Sequence, residues 1–173
     1  GIGVPMPNTD ISIRDDNGNI VADGESGELC AKGPQVMQGY WNNPTATAEC
    51  MTADGYFKTG DVAMLDNDGF FHIVDRKKDM INVSGFNVYP NEIEAEVAKM
   101  PGVLESACIG VPDERTGEAV KLFIVKAEQN ITEQDIIAHC RQSLTAYKIP
   151  KHVIFIDEIP KSTVGKLLRR ELR

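Results

Sequence analysis

The chain has 173 residues, 42% hydrophobic and 25% charged, which is the composition of a globular protein of one ordinary domain or two small ones. The net charge of −8 is uneven: residues 1–75 hold 12 acidic and 3 basic side chains, whereas residues 145–173 hold 3 acidic and 7 basic. An acidic body with a basic end speaks against a nucleic-acid-binding surface and for a local site that takes an anionic small molecule.

Apolar runs reach only four residues, as in Leu122 to Val125, so no segment has the length of a membrane span. The four cysteines at 30, 50, 108 and 140 form no C-x-x-C pair, and the histidines at 72, 139 and 152 form no metal-binding spacing. A protein-built metal site is not expected, and a reduced, cytoplasmic setting is.

Taken in order, Thr9 to Arg14 alternates Ile11 and Ile13 with polar residues and reads as a strand ended by the turn "DDNGN". "GELCAKG" reads as a second strand, and Pro44 marks the start of a short helix. "VAMLDNDGFFHIVD" reads as a hairpin turning at Asp66-Asn67-Asp68-Gly69. Strands at this spacing predict a small barrel-like or sandwich module over residues 1–75.

At "DRKKD", residues 75–79, five consecutive charges follow a strand and mark an exposed connection between two bodies. Beyond it, Asn91 is the expected cap of a helix running to about Met100, with Ile93, Val97 and Met100 on one face. Val103–Val111 and Ala119–Ala127 read as strands around the turn "PDERTGE". Thr132 and Asp135 form a capping box ahead of Ile136, Ile137, Cys140 and Leu144, and "HVIFI" is the last strand. The fold class expected is α+β: a small β-rich module followed by a compact α+β domain at 76–173.

Three turn-rich segments can carry chemistry. In "GYFKTGD", residues 55–61, the Asp61 carboxylate can meet the vicinal hydroxyls of a ribose, or can close an Asx turn on its own backbone. In "RKKDMINVSGFNVYPNEIE", residues 76–94, Gly85 permits a close ligand approach, or is a plain loop glycine. In "STVGKLLRRELR", Lys166 can neutralise charge developing on a phosphoryl or carboxyl oxygen, or is a solvated surface lysine. The tail is not a P-loop, because Pro160 stands at the first glycine position and Leu167 where Ser or Thr belongs.

"GELCAKGPQVMQGYWNNP", "GYFKTGD", "DRKKDMINVSGFNVYPNEIE" and "PKSTVGKLLRREL" follow one another in the order and spacing of acyl-CoA synthetases of the adenylate-forming superfamily. Through "VDRKKDMINVSGFNVYPNEIE" and "LTAYKIPK" the chain most resembles the bacterial long-chain fatty acid–CoA ligases. The resemblance implies that residues 1–75 end a large N-terminal AMP-binding domain and that 76–173 form its mobile C-terminal partner. The start at Gly1 fits a fragment whose phosphate loop and Mg²⁺ ligands precede it, inactive alone.

By the same resemblance, Asp61 would bind the ATP ribose, Arg76 would sit near that ribose or the phosphates, and Lys78 would be the hinge. Lys166 would bridge the fatty acid carboxylate and the α-phosphate. Ser84, Gly85 and Phe86 would line the pantetheine passage of coenzyme A. Tyr56 is given no role. The implied partners are a long-chain fatty acid, ATP, coenzyme A and the rest of the N-terminal domain. A homodimer and peripheral contact with the inner face of the membrane are secondary expectations. The alternatives are an aryl-CoA ligase, a luciferase-like enzyme, a peptide-synthetase adenylation module, or a non-catalytic α+β interaction module.

Overall fold

The structure, a computed structural model, describes residues 1–128 and 130–173. It divides into two compact units, Gly1–Lys78 and Asp79–Arg173.

The first unit is an antiparallel meander of β1 (Asp10–Arg14), β2 (Ser26–Lys32), β3 (Phe57–Leu65) and β4 (Phe71–Arg76), paired in chain order. The β3–β4 connection is the expected hairpin: the Asp66 carboxylate accepts the amides of Asp68 and Phe70 at 3.0 and 2.8 Å, and Gly69 takes φ +82°. Helix α1 (Pro44–Cys50) starts on Pro44, with the Asn43 side chain accepting the Ala46 amide at 3.0 Å.

The expected barrel or sandwich is not formed. Its apolar cluster holds only Ile13, Leu29 and Ala63, edged by Ile11, Val21, Leu65 and Phe71. That is enough to cover one face of one sheet, not to fill the space between two.

The second unit is built on a five-stranded sheet. Strands β5 (Ile81–Val83) and β6 (Phe86–Val88) make a hairpin at one edge, and β7 (Val103–Asp113) lies at the other. The central β8 (Gly117–Lys126) pairs antiparallel with β5 and β7, and parallel with β9 (His152–Phe155). Alternation along the strands splits the burial between two faces. Val120, Leu122 and Ile124 pack with Ile93 and Val97 of α2 (Pro90–Val97) and Ile136 and Cys140 of α3 (Glu133–Ser143). Ala107 and Val125 join a separate cluster with Ile159, Ile156, Leu167 and Leu172. The carboxy-terminal tail is thereby held on the sheet by its own leucines and isoleucines.

Three expectations need correction. The cap of α2 is Tyr89, not Asn91, and the helix ends at Val97 rather than Met100. Pro90 takes the first helical position, where a missing N–H costs nothing, so the helix begins before Asn91. The segment 81–88 forms a hairpin that turns back at Ser84 and Gly85, whose φ values of +53° and +86° suit a tight turn. "DRKKD" is not wholly exposed either: Asp75 is 2% exposed at the end of β4, and Lys77 is half-buried. The Thr132–Asp135 capping box of α3 is present in both directions.

Candidate functional site

The register of β3 against β4 sets Asp61 directly opposite Arg76. Thr59 prepares this position: its hydroxyl donates to the Leu29 carbonyl at 2.8 Å and accepts the Asp61 amide at 3.1 Å. With its main chain satisfied in this way, Asp61 extends its carboxylate into an open groove lined by Thr59, Gly60, Asp61, Arg76, Lys77 and Lys78. Arg76 Nε stands 3.9 Å from Asp61 Oδ1, and both side chains are solvent-accessible. At 3.9 Å this is a loose ion pair, weak enough for a ligand to displace. A vicinal diol beside an anionic group fits the two sides of such a groove, since a carboxylate only accepts hydrogen bonds and a guanidinium only donates them.

Lys77 and Lys78 close the groove in different ways. Lys77 Nζ is 2.7 Å from Glu28 Oε2 and 3.3 Å from Asp16 Oδ1, which ties it to the first unit. The side chain of Lys78 is exposed. Its neighbours belong to one turn of 3-10 helix, Lys77–Asp79.

Tyr56 has a structural place. Its ring lies under the Arg14 guanidinium at 4.6 Å and the Lys32 ammonium at 5.4 Å, and its hydroxyl donates to Asp10. Arg14 in turn grips Asp54 with two parallel bonds of 3.0 and 2.6 Å. That fork, with the Thr52 hydroxyl, pulls the Asp54 carboxyl down to about 2. The hydrogen bond to Asp10 pushes the Tyr56 phenol up.

In the second unit, Ser84, Gly85 and Phe86 form the exposed tip of the β5–β6 hairpin. The Asn82 carboxamide accepts the Gly85 amide at 2.9 Å, and the Thr116 carbonyl accepts the Ser84 amide at 2.8 Å. A side chain at Gly85 would meet nothing within 4 Å, so the turn's positive φ is what requires glycine, and the space above it is open. Phe86, 55% exposed, stacks on Tyr147 with ring centroids 4.6 Å apart.

Lys166 projects from a small loop closed by the bridge between Lys161 and Leu167. The Ser162 amide donates to the Lys166 carbonyl at 2.8 Å, the Lys166 amide to the Ser162 hydroxyl at 3.1 Å, and Gly165 turns the chain at φ +77°. The loop backbone is therefore defined while the residue itself is exposed.

The sequence reading passed over Arg169 and Glu94. Arg169 is 15% exposed and Glu94 16%, and one guanidinium nitrogen lies 2.8 Å from each Glu94 oxygen. Their partnership spans 75 residues, so no local periodicity announces it. The signal available was the arginine pair at 169–170, set just after the leucines that anchor the tail. Among the described residues, no group of three or more His, Cys, Asp or Glu is placed to hold a metal ion. No helix among them is long and apolar enough to cross a membrane.

Two family models match parts of the chain. The AMP-binding enzyme C-terminal domain matches residues 92–166, and the AMP-binding enzyme domain matches residues 1–41. The chain is 60% identical over 172 residues to a long-chain-fatty-acid–CoA ligase of Yersinia pestis, covering 99% of this chain and 30% of that protein. It is 47% identical over 172 residues to a feruloyl-CoA synthase of an Amycolatopsis species, of which it covers 35%. ATP-bound MatB from Rhodopseudomonas palustris superposes with a TM-score of 0.92 at 39% identity, over 99% of this chain and 34% of that one. The chain thus spans about a third of the length of the proteins it matches.

Proposed function

The chain belongs to the AMP-binding, adenylate-forming enzyme family, and from that membership we propose that it supplies part of the machinery of a long-chain fatty acid–CoA ligase. The reaction has two halves. The fatty acid carboxylate attacks the α-phosphorus of ATP, forming acyl-AMP as the bond to pyrophosphate breaks. The thiolate of coenzyme A then attacks the acyl carbon, and AMP leaves.

Within this reading, Asp61 accepts the ribose hydroxyls, and Arg76 donates to the same ribose or to the phosphates. Lys166 serves the first half. Two anions approach one another there, and an ammonium placed between them lowers the barrier electrostatically. The observation that carries the reading is the exposed lysine on a loop whose backbone is fixed by hydrogen bonds at Ser162 and Gly165. Ser84, Gly85 and Phe86 serve the second half by lining the pantetheine path, where a glycine open to solvent leaves room for a narrow chain.

The Lys166 loop and the 84–86 hairpin are separate segments of the second unit, so serving one nucleotide in turn requires that unit to change orientation. Lys78 is the pivot of this proposal. Among the described residues no group of three or more His, Cys, Asp or Glu is placed to hold a metal ion, so no Mg²⁺ ligand is assigned to this chain.

The experiment is Lys166→Ala in the complete ligase. Pyrophosphate exchange dependent on the fatty acid is expected to fall roughly 10²–10³-fold. Thioester formation from supplied acyl-AMP is expected to stay within about threefold. Unchanged exchange, or equal loss in both assays, overturns the assignment. The 47% identity to a feruloyl-CoA synthase supports a second reading, an aryl acid in place of the fatty acid, which a substrate panel on the same enzyme decides.

A further inference from the structure

We infer that Arg169 is a positioning residue for Lys166, acting through a clasp that locks the carboxy-terminal tail to α2, to β7 and to the residue just past the pivot. The inference rests on the role proposed for Lys166 and adds to it the device that fixes the loop in space.

β7 is an edge strand of its sheet, and side chains meet the amide and carbonyl of Cys108 there. Glu94 and Arg169 take them: the Cys108 amide donates to Glu94 Oε1 at 2.8 Å, and Arg169 Nε donates to the Cys108 carbonyl at 3.2 Å. Arg169 closes the triangle on Glu94 at 2.8 Å and reaches Asn91 Oδ1 at 3.4 Å. Its other terminal nitrogen lies 4.0 Å from Asp79 Oδ2, and Arg173 approaches the second oxygen of Asp79 at 3.3 Å. One planar fork therefore addresses α2, β7 and Asp79 together, which the single point charge of a lysine cannot do.

The position of this clasp in the chain gives it a function. Arg169 follows Lys166 by three residues, and the Leu168 amide between them donates to the Pro160 carbonyl at 2.9 Å. Leu167 and Leu172 hold the tail on the sheet through apolar contact, which fixes distance from the sheet but not sliding along it. The directional bonds of Arg169 remove that freedom. Because Asp79 directly follows Lys78, the clasp also ties the Lys166 loop to the moving side of the pivot at its first residue. Displacement of a reacting group by about 1 Å costs on the order of 10²-fold in rate, so a tail free to slide would lose the first half-reaction selectively.

The test uses Arg169→Gln, Arg169→Lys and Glu94→Gln in the complete ligase, beside Lys166→Ala. Hydrogen exchange of the peptide spanning 161–173 reads the clasp, and the two half-reactions read its consequence. The expected result for Arg169→Gln is at least tenfold faster exchange in that peptide and adenylation lower by about 10²-fold. Acyl transfer from supplied acyl-AMP stays within about threefold. Arg169→Lys recovers only part of the loss, and Glu94→Gln reproduces it should the Arg169 variants fail to fold.

Unchanged exchange at 161–173 overturns the clasp. Faster exchange with adenylation within about threefold of the parent overturns the positioning role, as does equal loss of both halves. If Lys166→Ala retains adenylation, the reading of Lys166 fails instead, and the exchange data alone then decide whether the clasp exists.

Discussion

The main-chain amide of Ser84 donates to the carbonyl of Thr116 at 2.8 Å, tying the tip of the β5–β6 hairpin to the turn between β7 and β8. That turn is itself held by Asp113. Its carboxylate, almost fully covered, accepts the amides of Arg115 and Thr116 at 3.0 and 3.1 Å, the Thr116 hydroxyl at 2.9 Å, and the Lys151 ammonium. Glu118 extends the support by accepting the Asn82 amide at 2.8 Å. The hairpin at 84–86 is thus positioned from outside itself.

Replacing Asp113 with Ala should therefore act at a distance. It leaves Lys151 and two turn amides without their acceptor and frees the Thr116 carbonyl to move. A melting temperature lower by about 5 °C is expected. In the complete ligase, thioester formation should fall roughly tenfold with a raised KM for coenzyme A, while pyrophosphate exchange stays within about twofold. A merely structural role would lower both half-reactions in proportion to the folded fraction, so the split between them is the measurement to make.

The parts of this architecture legible in the sequence are those governed by near neighbours. Asp66-Asn67-Asp68-Gly69 turns because an aspartate can accept amides two and four residues on, and Thr132–Asp135 caps because its partners are three apart. The hairpin at 84–85 escaped notice because its strands are three residues each, too short to show alternation, and because Ser84 is an uncommon occupant of positive φ. Asn91 was misread as a cap because its side chain suits that role, whereas Pro90 determines where the helix begins.

Asp61 and Arg76 are adjacent through strand register, and Arg169 and Glu94 through tertiary packing, neither of which leaves a local pattern. For the site, the resemblance supplied Asp61, Arg76 and Lys166 as separate positions. The Thr59 hydroxyl that holds the Asp61 amide, and the Arg169–Glu94 pair, come only from the fold.

Acid should loosen the first unit through Asp54. The Arg14 fork and the Thr52 hydroxyl hold this carboxyl at about 2, below the value near 3.9 expected in an unfolded chain. A depressed folded value means that the interaction contributes fully above about pH 4 and is lost as the pH falls through about 2. Asp15 and Asp66, both held low by amides of their own turns, act in the same direction. Urea unfolding of Asp54→Asn at a series of pH values should give an acid limb flatter by close to one proton between about pH 4 and pH 2. The Asp54 side chain is 55% exposed, so added salt should shrink the difference. An unchanged slope would show that the Arg14–Asp54 pair does not persist in solution.

Lys78 provides the sharpest test of the proposed pivot. The residue before it is bound to Glu28 and Asp16 in the first unit, and the residue after it to Arg173 and Arg169 in the second. On the proposed pivot, backbone rotation would fall at this one position between two ion-pair anchors. Proline there fixes φ near −65°, a value that the 3-10 turn of Lys77–Asp79 already favours, so the conformation described should be tolerated. Other values of φ become inaccessible. Lys78→Pro should therefore leave one half-reaction within about threefold and slow the other by at least tenfold, and the half expected to suffer is thioester formation. Lys78→Ala, which removes the side chain but keeps the rotation, should leave both nearly unchanged. Parallel loss of both halves in the proline variant, or a comparable loss in the alanine variant, would assign Lys78 to the chemistry of its ammonium instead of to rotation of its backbone.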